Sequence, residues 1–314
     1  MRILKFIAMQ VSASNWQELC RDGATRLVQM ILAMSVFLPC TLAEDKQDHR
    51  IIENSVGMRM VMIRPGKFDM GAPETEMGSR IDEQPVHKVE ITRPFLLGVY
   101  EVTQAEYEKV VGANPSYFSP AGAGRLKVEK LDASKLPVEQ VSWDDCMVFC
   151  EKLSALPEEK AAGRVYRLPT EAEWQYSCRA GSTGPFHTGA SLGASDANFN
   201  GNFPYGDAPR GVFLGRTSIV GSYKPNAFGL YDMHGNVAEL TADRYGRHYY
   251  KDSPAVDPKG PESGNDRVVL GGSWGTDAAR CRSAFRRSNA TSGKAYYFGF
   301  RVACDVAAAA AAGN

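Results

Sequence analysis

The chain has no surplus of either charge. Lys and Arg number 36 and Asp and Glu number 36 over 314 residues, for a formal net charge of +0 at pH 7. Nucleic-acid binders draw most of their affinity from basic residues that displace counterions, so that class is excluded and no nucleic-acid partner is expected. Cysteine is sparse: seven residues are too few for a disulfide-stapled miniprotein and too scattered for a zinc ribbon. The histidines (His49, His87, His187, His234 and His248) show no metal-ligand spacing and no pairing with a cysteine. A Walker loop, a dinucleotide fingerprint and internal repeats are all missing, and no linker-like stretch divides the body. No apolar run is long enough to span a bilayer comfortably as a helix.

What remains is an ordinary globular composition, with 44% hydrophobic and 23% charged residues, which excludes whole-chain disorder, collagen and coiled coil. Thirty glycines and 17 prolines beside 13 Tyr, 14 Phe and 4 Trp predict a loop-rich fold packed with aromatic rings. The longest apolar stretch, Met30 to Ala43, follows Arg26, ends in small residues at Thr41 and Ala43, and precedes Glu44-Asp45-Lys46. It reads as a signal peptide over residues 1–43 with cleavage after Ala43, followed by a linker over 44–50. Export to the periplasm or the extracellular space is the expectation. Cys146, Cys150, Cys178, Cys281 and Cys304 then remain in a mature chain without a membrane span. Residues 306–314 form an alanine-rich tail with no assigned function.

The body, 51–305, reads as one α+β domain with little regular secondary structure. Thr103 to Glu106 is a capping box opening a helix that Gly112 stops. Ser142 to Asp145 opens a second helix whose Cys146, Phe149, Cys150 and Leu153 fall on one buried stripe. Thr170 to Glu173 opens a third that ends before Gly181. Met58–Phe68, Val86–Thr92, Phe95–Val99, Arg267–Leu270 and Phe298–Val302 read as strands. Residues 181–262 hold little periodicity and much Gly, Asn, Pro and Tyr. A structureless loop of that length is improbable in a compact domain, so ions or dense polar networks must organise it.

Two segments carry candidate chemistry. Asp232-Met-His-Gly-Asn-Val-Ala-Glu239 sets two carboxylates around a Gly-Asn turn, which suits calcium or carboxylates bonded to turn amides. Cys281 stands between Arg280 and Arg282, an arrangement of either a reactive thiolate or an inert buried thiol. Gly189 to Gly193 fits the Gly-x-Ser-x-Gly nucleophile pattern but lacks its strand and helix flanks, so it is not read as catalytic.

Taken in order, several motifs resemble one family. Gly57-Met-Arg-Met-Val-Met-Ile-Arg-Pro-Gly66 opens it, and Tyr166-Arg-Leu-Pro-Thr-Glu-Ala-Glu-Trp174 with Cys178-Arg-Ala-Gly181 is the most specific part. Asn226 to Val237, Gly271-Gly-Ser-Trp274 and Gly299-Phe-Arg-Val302 complete it. The chain resembles the formylglycine-generating-enzyme, or sulfatase-modifying-factor, superfamily over roughly 51–304. The resemblance implies a loop-rich α+β domain with a C-type-lectin-like core and bound Ca²⁺. It maps calcium ligands onto the Asp232 and Glu239 side chains and the Gly235 and Val237 carbonyls, and a second calcium loop onto Asn198 and Phe199. It also implies an oxygen- and copper-dependent oxidation of a sulfatase cysteine by two thiols just after the Gly-Gly-Ser-aromatic turn. Here the second position is Cys281 and the first is Thr276, and Ala238 and Leu240 stand where many members carry tryptophan.

A hydroxyl is not a soft ligand, so a two-thiolate copper site cannot form there. The expectation is therefore an exported, calcium-stabilised, monomeric accessory or binding module, or an enzyme of altered chemistry. Its ligand would be a protein or glycan, with a sulfatase as one candidate and Tyr249 and Tyr250 as candidate surface rings. The alternative is an active copper oxidase with Cys281 as its redox thiol. Exported relatives also suggest a Cys150–Cys304 disulfide, and Cys178–Cys281 is a further candidate pair.

Overall fold

The computed structural model describes residues 50–305. The leader and alanine-rich tail, and most of the linker, lie outside the described residues. In chain order the elements are β1 (Ile51–Glu53), β2 (Arg59–Ile63), β3 (Gly66–Met70), β4 (His87–Ile91), β5 (Phe95–Gly98), α1 (Gln104–Val111), α2 (Trp143–Ala155), α3 (Pro157–Ala161), β6 (Tyr166–Arg167), α4 (Glu171–Arg179), β7 (Ala238–Arg244), β8 (Asp266–Leu270), β9 (Arg287–Ala290), β10 (Phe298–Gly299) and β11 (Ala303–Asp305).

The helices start where local chemistry dictates. Thr103, Ser142 and Thr170 each accept a hydrogen bond from the backbone three residues on, and Glu106, Asp145 and Glu173 each reach back to the cap. These reciprocal bonds satisfy amides that a helix N-terminus otherwise leaves open. Gly112 ends α1 at φ 89°, the left-handed conformation that glycine adopts at no steric cost. The predicted stripe of α2 is buried as expected.

A five-stranded sheet runs β1-β2-β5-β11-β6, with every pairing antiparallel. Its last strand in sequence lies between two early ones, so the two ends of the domain close on each other. Residues of β2 alternate between two cores: Met60 packs toward α1 and α2, and Val61 and Ile63 pack toward α4 and Trp174. A strand covered on both faces is apolar throughout, hence Met-Val-Met-Ile. A second sheet, β10-β7-β8-β9, lies beyond the loops, and β3-β4 forms a ribbon.

The run Phe298–Val302 is not one strand. β10 belongs to the second sheet and β11 to the first, and the chain changes sheets at Phe300–Val302. β7, expected as loop, is a seven-residue strand. Between α4 and β7 the chain has only isolated bridges, among them Asn198 with Gly235. Polar contacts hold this stretch. Fully buried Asn236 accepts from Ser218 and Asn198 through its side-chain oxygen. Its side-chain NH₂ donates to Glu101, its backbone N–H to the Asn198 carbonyl, and its own carbonyl accepts from Trp274. One buried amide thus ties four distant segments, the dense polar network that the composition called for.

Candidate functional site

β8 delivers the chain into Gly271 and Gly272, at φ 83° and 68°. Glycine is required at 272, since a Cβ there would stand 2.6 Å from the Cys281 sulfur. Ser273 donates its N–H to Thr276 Oγ1 (3.0 Å), and that hydroxyl donates back to the Ser273 carbonyl (3.0 Å). Asp277 caps the short turn Ala278–Cys281 by accepting from the Arg280 N–H. These local bonds bring Cys281 Sγ to 3.7 Å from Thr276 Oγ1. The two positions of the family's thiol pair are adjacent in space, and a hydroxyl faces the single sulfur.

Cys281 is fully buried beside Phe186, Leu192 and Phe199. Burial pushes its pKa up to about 12, against a smaller lowering by the Thr276 bond. Neither neighbouring arginine activates it. Arg282 is fully buried, donating to both oxygens of Glu83 and to Glu76, and Arg280 is paired to Asp277 at 3.4 Å. The geometry is that of a protonated, sealed thiol. A copper site needs a second thiolate. The Thr276 hydroxyl is already bonded in both directions and does not ionise at neutral pH, so the residues here do not fit the metal.

His234 and His187, which show no metal-ligand spacing in the sequence, meet beside the Cys281 backbone. His234 Nδ1 donates to the Cys281 carbonyl at 2.7 Å, and His234 Nε2 accepts from the His187 backbone N–H at 3.2 Å. The imidazoles stack at 4.8 Å. Burial, then the His187 ring, lowers the His234 pKa to about 3, so it is neutral with its proton on Nδ1. Cys178 Sγ lies 3.9 Å from both ring nitrogens of His234. Burial pushes Cys178 up to about 12 as well. Cys146, Cys150, Cys178, Cys281 and Cys304 are all free, so neither suggested disulfide is formed.

Asp232, Gly235, Val237 and Glu239, onto which calcium maps, are all buried. Glu239 is 1% exposed, and both its oxygens are engaged by Arg301 at 2.7 Å, with Trp174 Nε1 adding a third donor at 2.8 Å. Asp232, at φ 57°, accepts from the Gly221 N–H at 2.6 Å. Val237 donates its N–H to Glu101, an acid absent from the predicted set. Among the described residues no group of three or more His, Cys, Asp or Glu converges as a metal site. Glu101, Asp232 and Glu239 all face the Arg301 guanidinium. Burial first, then Asp232 and Glu239, raise Glu101 well above its ordinary range, and burial raises Asp232 to about 6. Asn198 donates to the Arg216 carbonyl and to Asn236 while its own Oδ1 is buried without a partner. Phe199 packs in the aromatic cluster over Cys281.

Beside Thr276 the surface opens into a cleft of about 600 Å³ whose lining includes Gly272 and Ala238. Cys281 is not part of the lining. Tyr250 is buried, donating to Glu171, and is no binding ring, while Tyr249 is half-buried.

Residues 49–306 match the family described as Sulfatase-modifying factor enzyme 1-like domain. The chain belongs to the sulfatase-modifying-factor family. It is 33% identical to the "Formylglycine-generating enzyme" of Bos taurus over 294 residues, covering 79% of this chain and 75% of that protein. It is 28% identical to the "Inactive C-alpha-formylglycine-generating enzyme 2" of the same organism, covering 80% and 89%. Among solved structures, PvdO from Pseudomonas aeruginosa superposes with a TM-score of 0.69 at 33% identity, covering 82% of this chain and 98% of that one. Relatives of this chain carry names that differ in activity, so the site has to decide function. Among the described residues no helix is long and apolar enough to cross a membrane.

Proposed function

We propose that this sulfatase-modifying-factor domain is not a copper oxidase and works as an exported, monomeric binding or accessory module through the cleft beside Thr276. The observation that carries the reading is the 3.7 Å contact between Thr276 Oγ1 and Cys281 Sγ, where the family's chemistry calls for two thiols. Sealing of Cys281 and its high pKa support the same conclusion: a protonated, buried thiol is neither a nucleophile nor a copper ligand. A protein partner, with a sulfatase as the first candidate, or a glycan would occupy the cleft.

The experiment incubates the mature domain with Cu(I), oxygen and a peptide bearing a sulfatase-type cysteine, then follows that cysteine by mass spectrometry. The unaltered protein is expected to leave it unchanged. Conversion would overturn the reading in favour of an oxidase working through one thiol. A Thr276→Cys variant tests whether the scaffold alone suffices, with Cu(I) binding as a readout independent of turnover.

Calcium at the Asp232–Val237 turn belongs to the same proposal. Three buried acids against one arginine support a cation there, with Asp232 and the turn carbonyls as its ligands and Glu239 retained by Arg301. Added calcium is expected to raise the melting temperature over an EGTA-treated sample, and an unchanged temperature would remove the ion from the proposal.

A further inference from the structure

The cleft beside Thr276 carries more positive charge than its own acids neutralise. Arg80, Arg280 and Arg287 line it, against Asp277 alone. Arg80 is paired with Asp82 at 3.2 Å and Arg280 with Asp277 at 3.4 Å. Arg287 differs. Among the described residues no carboxylate lies within ion-pair distance of it, although the chain as a whole has equal numbers of acids and bases.

Aromatic rings hold its guanidinium instead. The carbon at its centre stands 5.0 Å from the Phe298 ring centroid and 5.7 Å from that of Tyr297. Arg287 is half-buried where it opens β9, paired through its backbone with Val269 of β8. Stacking on a ring face orients a guanidinium without consuming its N–H groups, which remain in plane as a planar fork. Such a fork is the geometry that grips both oxygens of one carboxylate. Arg280, on the same cleft, adds a second cation whose bond to Asp277 is exposed and therefore weak. Ala238 and Gly272 add little bulk to the lining, which leaves room for a ligand in the cleft that Arg287 lines.

We propose that this cleft binds a ligand bearing a carboxylate, with Arg287 as the residue that grips it and Arg280 as a weaker second contact. This inference rests on the reading of the cleft as the binding face of the domain. It adds the chemical class of the ligand, which can arrive as the side chain of an acidic peptide or as a free organic acid.

The test measures fluorescence anisotropy of a fluorescein-labelled hexaglutamate peptide, with a hexaglutamine peptide as the neutral probe. The domain is expected to bind hexaglutamate, more weakly as salt rises, and to ignore hexaglutamine. Arg287→Met keeps the aliphatic packing and removes the fork, and is expected to weaken binding at least about tenfold. Arg287→Lys keeps the charge without the fork and is expected to fall between. Lys67→Met, at an exposed site on β3, serves as the control for diffuse surface charge and should change nothing. Circular dichroism and melting temperature establish that each variant is folded.

Displacement of hexaglutamate by benzoate, itself sensitive to Arg287→Met, assigns the site to small organic acids. Arg287-dependent binding without displacement assigns it to acidic peptides. Hexaglutamate binding that Arg287→Met leaves unchanged, equal binding of hexaglutamine, or no binding of hexaglutamate or benzoate overturns the proposal. Conversion of a cysteine peptide by the unaltered protein would instead strike the non-oxidase reading and leave Arg287-dependent binding standing, so the two failures are distinguishable.

Discussion

Replacing Arg301 by leucine removes a guanidinium that faces three buried acids, Glu101, Asp232 and Glu239. Arg301 makes two bonds to Glu239 and donates to the carbonyls of Gly98, Val99 and Tyr231. Breaking a buried ion pair from one side costs about 3–5 kcal/mol, because the partner charge is left uncompensated. For a domain of this size that corresponds to a fall of about 6–20 °C in melting temperature. Loss of the carbonyl bonds is independent of pH; loss of the charge is not. Asp232 has an ordinary pKa of 3.8 and a folded value of about 6, raised by burial against lowering by the Gly221 amide and Arg301.

A carboxyl whose folded pKa lies above its unfolded one holds its proton more tightly when folded. Its contribution is complete below 3.8 and is lost as pH climbs through about 6, a loss on the order of 3 kcal/mol. Without Arg301 the folded pKa moves higher and the loss extends above pH 6. The destabilisation of the Arg301→Leu variant relative to the unaltered protein should therefore be largest near pH 8 and shrink toward pH 5. Urea unfolding of both proteins in EGTA, which keeps Asp232 free of calcium, measures it at several pH values, with Glu239→Gln completing a double-mutant cycle. A difference that stays constant across that range would refute the charge argument and leave only the lost carbonyl bonds.

Three further outcomes follow from the same geometry. Gly272→Ala forces a Cβ to 2.6 Å from Cys281 Sγ at φ 68°, and should cost about 2–4 kcal/mol in chemical denaturation. Cys281, buried with a pKa near 12, should resist iodoacetamide at pH 8 in the native protein and react fully once unfolded, as read by peptide mass spectrometry. Thr170→Ala removes a helix cap and should destabilise by about 1 kcal/mol without altering Arg287-dependent binding of an acidic probe, which separates stability from recognition.

Where a structural decision is local, the residues themselves announce it. Thr103, Ser142 and Thr170 mark helix starts because a hydroxyl and an acid three residues apart bond each other's backbone whatever surrounds them. The stripe of α2 was legible for the same reason, since helical periodicity fixes which side chains share a face. Ordered motifs from Gly57 to Val302 were enough to point to the family. Thr276 in place of a thiol was likewise visible, and with it the doubt over copper.

Partners distant in sequence were not legible. Glu239 read as a calcium ligand because nothing in Asp232–Glu239 shows that Arg301 closes on it once the chain changes sheets at Phe300–Val302. His234 had no legible role because its bond to the Cys281 carbonyl exists only after β8 and its turn have folded. β7 was hidden because its pairing with β8 and β10 comes from elements far along the chain. Sequence alone determined the helix caps, the family and the missing thiol, all consequences of residue identity and short spacing. Tertiary structure alone decided that Cys281 is sealed, that Glu239 is bound to an arginine and that Arg287 has aromatic rings and, among the described residues, no acid for partners. Burial and charge pairing depend on which distant segments meet, and that is settled only when the chain closes.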